Sequence, residues 1–489
     1  MRQSKVAGMA TTASIQVRSP ATGEELGEVP ITSPGEIDAV VRAARAAQPL
    51  LEEMTVHERA ALLHRAADII HERSDDLSRE LALEQGKPWR SEAVEEIEET
   101  VGNLRMAAED VKRMDTAVIP SERRGKVVFT FRKPNGVFAM ITPWNFPMMI
   151  PSELIAPALA TGNAVILKPS EFTPLSGQSL VEILEEAGLP AGAIGVVHGA
   201  REAGETLVTH PGVDAIGFVG SHGTGEAIVR AAGMKRTLIE ASGNGPQIVL
   251  ADADLAAAAS AAVEGAAYLA GQVCVATERV LVEERVHDAF VELVLERAGE
   301  VVLGHPLEDT TTMGPLNNEP VAAKMDRHVA DAGERGARVL VGGRRAEGFP
   351  TDLYYEMTVV DSVSPETLLF REESFGPVLP ITTFASDDEA IALANDSHLG
   401  LQAAVFTSSL RRAFRFIHEI RAGSIQVNET TGYWEGRPPF GGAAGTKTGW
   451  GHRPQNRDDR LPEHARGVRR AVRPRRRAGR SARRGRKRR

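Results

Sequence analysis

The stretch from Asp214 to Glu240 constrains this chain most. Asp214–Val219 reads as an apolar strand, Gly220–Gly225 as a Gly-rich turn, Glu226–Ala232 as a helix and Leu238-Ile239-Glu240 as a further strand. Two strands joined through a helix over so short a distance pair in parallel, because the crossover returns the chain in its original direction. The alternation also appears upstream, where the short apolar strand Ala164–Leu167 is followed by a helix over Ser176–Ala187 and a strand at Ile194–His198. Repeated at this spacing, it indicates a doubly wound α/β sheet with helices on both faces. Ligands of such sheets lie at the C-terminal strand ends, where Lys168, Ser221 and Glu240 all fall.

The remaining segments fit around that sheet. A chain of 489 residues is long enough for two or three domains. Residues 14–30 read as strand and turn. Ser33/Glu36 and Thr55/Glu58 have capping-box spacing and predict two helix starts. Leu62, Leu63, Ala66, Ala67, Ile69 and Ile70 then share one helical face. Further helices are expected from Ser74 to Gly86 and from Ser91 to Met114, and strands over Val127–Arg132 and Gly136–Ile141. A second α/β region, from about Ser242 to Ile425, begins with an Ala-rich helix over Leu255–Leu269, then a strand at Arg279–Val282 and a helix at Val286–Ala298. No run of eighteen apolar residues exists, so no membrane span is expected. Met1–Ala13 lacks the features of a secretory signal, and a lone cysteine suits a reducing compartment, so a cytoplasmic location is expected.

That cysteine, Cys274, lies in Gly271-Gln272-Val273-Cys274-Val275-Ala276. A single thiol excludes intramolecular disulfides and cysteine-based metal sites. Taken alone it reads as a small buried apolar residue; in a suitable site it is a nucleophile toward carbonyl carbon. Gly220-Ser221 opens a helix whose free N–H groups suit a phosphate, although a plain βα turn has the same composition. Lys168 and Glu171 end a buried strand and suit ribose hydroxyls, or form a solvated charge pair; the carboxylate also repels a ribose 2′-phosphate, favouring NAD over NADP. Glu240, partly desolvated at a strand end, has the setting of a general base, or is a surface loop glutamate. The histidines are scattered without metal-ligand spacing, and no metal is expected.

Together these stretches resemble the aldehyde dehydrogenase superfamily from about Val17 to Gly451. The family's Pro-Trp-Asn-Phe-Pro stands at Pro143–Pro147, its Lys-Pro-Ser-Glu at Lys168–Glu171 and its Gly-Ser turn at Gly220-Ser221. Its Glu before a Gly-rich turn is Glu240, and its Gly-Gln-x-Cys-x-Ala is Gly271–Ala276. Glu373–Pro377 and Pro439–Gly442 match its last two motifs. The resemblance implies a Rossmann-like cofactor domain (14–115 and 136–241), a small β oligomerisation arm (116–135) and an α/β catalytic domain (242–445). It implies that Cys274 attacks an aldehyde and that Asn145, with the Cys274 N–H, holds the oxyanion. Glu240 would activate the water that releases a free acid, since relatives that pass the acyl group to coenzyme A lack this base. Lys168 and Glu373 would hold ribose hydroxyls, Glu171 the adenosine ribose and Ser221 the pyrophosphate. Thr142, Pro143, Trp144, Ser170, Gly220 and Phe375 would complete the NAD site, with NADP possible.

The chain departs from the family pattern in three places. Ser242 replaces a glycine, which bears on local backbone geometry. Glu153 stands where many relatives carry a bulky aromatic residue; a carboxylate there can favour cationic amino-aldehydes, but is read here as facing solvent or pairing with a neighbouring base. Residues 452–489 replace the expected closing helix and partner-joining strand. They carry 17 Lys and Arg against three Asp and Glu, whereas the rest of the chain carries 40 against 63. This tail is read as an out-of-frame or disordered extension; a nucleic-acid-binding tail is the alternative. The family's homodimer or homotetramer is therefore in question, and a catalytically silent homologue is the competing expectation.

Overall fold

The computed structural model describes residues 13–443 and 445–449, and the expectations for the N-terminal leader and the basic tail 452–489 lie outside these residues. Both capping boxes form. Ser33 Oγ accepts from the Glu36 N–H (3.4 Å) while the Glu36 carboxylate accepts from the Ser33 N–H (2.8 Å), starting helix Pro34–Glu53. Thr55 and Glu58 do the same for Val56–Glu72, whose Leu62, Leu63, Ala66, Ala67 and Ile70 are buried. Helix Ser74–Gln85 stops at Gly86, at φ 102°, where a Cβ would meet Pro20 at 2.9 Å. The helix expected over 91–114 is divided. A π turn at Trp89–Ala93 leads into Val94–Asp110, and a 3-10 turn, Val111–Arg113, ends it. The wider turn lets both Trp89 and Glu92 face inward.

Five parallel strands form the first sheet, in the order Ile194–Val196, Ala164–Lys168, Val137–Ile141, Ala215–Gly220, Arg236–Ala241. The chain starts at the middle strand, steps outward on one side, then crosses to the other. The order reverses between Val137–Ile141 and Ala215–Gly220, and a crevice opens beyond their C-terminal ends. The helix after Ala215–Gly220 begins at His222, not at Glu226 as the glycines suggested. Gly225 sits inside it because helix and sheet pack closely: a Cβ there would lie 3.2 Å from that of Ala241 and 3.4 Å from Ile239. The turn is thus reduced to Gly220-Ser221.

A seven-stranded mixed sheet follows, in the order Arg338–Val341, Thr358–Asp361, Val378–Phe384, Thr277–Glu283, Gly245–Val249, Gln402–Phe406, Ser424–Val427. Its first pair is antiparallel and the others are parallel. The Ala-rich helix runs over Leu255–Ala267, shorter than expected, because Leu269 and Ala270 turn left-handed (φ 53° and 52°). The strand expected at Val127–Arg132 contracts to Val128–Phe129, which pairs with Val118–Ile119 in an exposed hairpin. No described helix is long and apolar enough to cross a membrane.

Candidate active site

The loop 271–276 connects the Ala-rich helix to the central strand Thr277–Glu283 and is wedged between two other loops. Gly271 lies at φ 73° against the Gly376 carbonyl, where a Cβ would come within 2.1 Å. Gly243 abuts the Cys274 carbonyl, where a Cβ would come within 1.8 Å. Neither position has room for a side chain, and this contact fixes the Cys274 backbone. Gln272 ties the loop down further. Its amide donates to the Leu269 carbonyl (2.9 Å) and accepts from the Asn317 N–H (2.9 Å), while its main-chain carbonyl accepts from Asn145 Nδ2 (3.0 Å). Asn145 is buried, and that bond uses one of its two amide N–H groups.

Two cavities, each of about 370 Å³, meet at this loop. Cys274, Glu240, Ile150 and Val219 line both. One cavity continues past Phe146, Met149, Tyr268, Tyr433, Trp434 and Phe440. The other lies over the sheet's switch point and includes Pro143, Trp144, Gly220, Ser221, Glu373 and Phe375. Cys274 is half-buried between them.

The electrostatics around the thiol are uniformly negative. Burial pushes the Cys274 thiol well up, and the charges of Glu240, Glu373 and Glu153 push it further. Burial also raises Glu240, which is 1% exposed, well above the usual carboxylate range; Glu373 adds to the effect, the Cys274 contact opposes it, and Glu153 adds again. One Glu240 oxygen has no hydrogen-bond partner. Glu153, expected to face solvent or to pair with a neighbouring base, does not face solvent: it is 5% exposed on helix Met149–Ala160. That helix is apolar on all sides, so whichever face the carboxylate occupies is covered.

The expected cofactor residues fall into two groups. Pro143, Trp144, Gly220, Ser221, Glu373 and Phe375 line the switch-point cavity, with Trp144 and Phe375 edge to face at 5.5 Å. Thr142, Lys168, Ser170 and Glu171 sit at the neighbouring strand ends instead, outside that lining. Lys168 is buried rather than a solvated charge, with Nζ 3.0 Å from the Pro169 carbonyl and 3.8 Å from the Glu171 carboxylate. Burial lowers its pKa, and Glu171 opposes the shift. The arrangement fits a dinucleotide. Thr142 Oγ1 is buried without a partner at the switch point, and Lys168 retains donor capacity. The helix His222–Ala232 presents its N-terminus to the same crevice. Glu373 is anchored by the Gly243 N–H (2.8 Å). Glu278, raised by burial to about 7, accepts from the Ser374 and Phe375 N–H groups (both 2.9 Å) and holds Phe375 at φ 58°.

Several residues escaped the motif reading. Lys324, on helix Glu319–Glu334, lines the cofactor-side cavity, donates to the Glu373 carbonyl (3.2 Å) and stands 5.7 Å from the Phe375 ring. Phe172 and Asn318 also line it. Lys87 and Glu96 form a fully buried ion pair; Lys87 Nζ donates to the Asn145 carbonyl (2.9 Å), and Glu96 accepts from the Met148 and Met149 N–H groups (2.8 and 3.1 Å). This pair holds the segment that carries Asn145. The one available signal was the Gly86-Lys87-Pro88 helix stop, which reads as punctuation. Ser242, where the family resemblance implies a glycine, sits strained at φ 69°, and its hydroxyl accepts from the His222 N–H (3.1 Å). Among the described residues no three His, Cys, Asp or Glu side chains are grouped to hold a metal ion.

Comparison with known proteins places this geometry. The sequence profile of the aldehyde dehydrogenase family matches residues 8–459. The chain is 36% identical over 432 residues to the mitochondrial succinate-semialdehyde dehydrogenase of Arabidopsis thaliana, covering 88% of this chain and 81% of that one. Among solved structures, the NAD-dependent aldehyde dehydrogenase of Sinorhizobium meliloti superposes with a TM-score of 0.86 at 36% identity, covering 91% of this chain and 89% of that one. The glyceraldehyde-3-phosphate dehydrogenase GapN of Methanocaldococcus jannaschii, complexed with NADP, gives 0.85 at 32%, covering 89% and 94%.

Proposed function

Because the chain belongs to the aldehyde dehydrogenase family, we propose that it oxidises an aldehyde to a free carboxylic acid with a nicotinamide cofactor, NAD in preference to NADP. The observation that carries this reading is the junction of two cavities on Cys274 and Glu240: one leads aldehyde to the sulfur, the other faces the cofactor side.

In this mechanism Glu240 accepts the Cys274 thiol proton as Sγ bonds to the aldehyde carbon. The carbonyl oxygen becomes an oxyanion held by the remaining Asn145 N–H and by the Cys274 N–H, each worth about 3 kcal/mol in the transition state. A bound nicotinamide would supply the hydride acceptor, so that the C=O re-forms and Cys274 is left carrying a thioester. Glu240, having released its proton through the cavities it lines, then takes a proton from the water that attacks the thioester; the C–S bond breaks, Cys274 Sγ takes that proton back from Glu240, and the acid leaves. The raised pKa makes Glu240 a stronger proton acceptor than an ordinary carboxylate, which suits it to both proton transfers.

Ser221, Gly220 and the helix start at His222 would receive the pyrophosphate, with Thr142, Pro143, Trp144 and Ser170 around it. Lys168 and Glu373 would hold ribose hydroxyls, Phe375 would pack on the nicotinamide side, and Glu171 would disfavour a 2′-phosphate. We assign nucleotide binding to 14–115 with 136–241, catalysis to 242–445, and self-association into a homodimer or homotetramer to the 116–135 arm. That arm exposes Val118, Val127, Phe129 and Phe131. The lone thiol suits a reducing compartment such as the cytoplasm.

The test is NADH formation with neutral, anionic and cationic aldehydes, with mass spectrometry of the acyl-enzyme. A carboxylate product and an adduct on Cys274 are expected. Turnover by Cys274→Ala would refute the assignment.

A further inference from the structure

Resting on that reading, we propose that the preferred aldehyde carries a positive charge at the end remote from its carbonyl, as an ammonium or quaternary ammonium group. Among the described residues, the cavity leading away from Cys274 has six glutamates in its lining and no lysine, arginine or histidine. Two are already assigned. Glu96 is neutralised by Lys87, and Glu240 forms the floor. The other four, Glu95, Glu99, Glu264 and Glu429, come from three separate segments and gather along the outer part of the passage. They are close enough to interact: the Glu264 carboxyl is raised first by burial, then by the charges of Glu429 and Glu95.

The floor gives an independent indication. Glu240 lines this cavity and is almost wholly buried, and one of its oxygens has no hydrogen-bond partner. Glu153, buried behind it, adds negative charge felt by both Glu240 and Cys274. The passage therefore carries carboxyl groups at both ends, and Tyr268, Tyr433, Trp434 and Phe440 give its walls the aromatic character that suits a cation. An ω-carboxylate such as that of succinate semialdehyde, the substrate naming the Arabidopsis relative, would find like charge and, among the described lining residues, no cationic partner. A cation finds opposite charge and aromatic surface, and it relieves the mutual repulsion of the carboxylates.

The experiment compares kcat/KM for three aldehydes of equal chain length with NAD: 4-(trimethylammonio)butanal, which neither cyclises nor deprotonates, butanal, and succinate semialdehyde. The expected order is cation, neutral, anion. The extremes should differ by about 100-fold, mainly through KM, and the gap should narrow at high salt. Glu264→Lys, at an exposed position, should cut the cation-to-anion ratio by about ten-fold. Equal rates for the three, or an advantage for succinate semialdehyde, would overturn the proposal while leaving the dehydrogenase reading intact. No NADH from any of the three would instead remove the reading on which it rests.

Discussion

Replacing Glu240 by glutamine isolates the base from the rest of the site. The amide keeps the shape of the carboxylate in an almost fully buried position, so packing is conserved. What is lost is proton acceptance. General-base assistance is worth about 10²–10⁴-fold, or roughly 3–5 kcal/mol of barrier at 1.36 kcal/mol per decade. Because Glu240 takes the thiol proton as well as a proton from the hydrolytic water, stopped-flow NADH fluorescence should show a slower burst of unchanged amplitude, one equivalent per active site. A steady rate lower by that factor should follow, with a thioester adduct accumulating on Cys274. The pH profile should change in a defined direction. The base works ionised and its pKa is raised, so activity of the parent climbs as pH rises through that raised value, and the variant should lose this limb. Stability moves oppositely. An acid whose pKa is higher folded than unfolded contributes stability that is fully present below the unfolded value and is lost as pH rises through the folded value. The glutamine variant carries no such charge and should melt higher than the parent at alkaline pH. A steady-state rate within a few-fold of the parent, or loss of the burst amplitude itself, would refute the assigned role.

Other perturbations test separate parts of the site. Lys87→Met leaves Glu96 buried without its cation and should cost about 3–5 kcal/mol in urea unfolding; kcat should fall as the Asn145 segment loosens, and the double variant with Glu96→Gln should recover much of the stability. Ser242→Gly relieves about 1 kcal/mol of left-handed strain but removes an acceptor for the His222 N–H of comparable worth. Its unfolding free energy should therefore change by less than about 1 kcal/mol, while its cofactor affinity changes measurably. Iodoacetamide should alkylate Cys274 slowly at neutral pH and faster as pH rises, and Glu153→Gln should increase the rate, because one of the charges holding the thiol up is gone. Glu171→Gln should improve the NADP-to-NAD ratio of kcat/KM by about ten-fold, if the carboxylate repels a 2′-phosphate as its position implies.

Much of this was legible in the linear chain because it depends on near neighbours. Capping boxes need residues three apart, buried parallel strands need short apolar runs, and Cys274, Glu240 and Asn145 stand within recognisable short motifs. The glycines around His222 misled for the same reason: Gly225 serves helix-to-sheet contact with Ala241, which no local pattern reveals.

Other features arise only when distant segments meet. Glu95, Glu264 and Glu429 belong to segments far apart in sequence, and each alone is an ordinary exposed glutamate. Lys87 gains its role by reaching the Asn145 carbonyl 58 positions away, and Glu153 becomes an electrostatic neighbour of the thiol because its helix lines, through Met149 and Ile150, the same cavity as Cys274. Local backbone preference and hydrophobic period act over a few residues and are written into the chain. The sign of the field in a cavity is a sum over charges brought close by packing, and it exists only in the folded molecule.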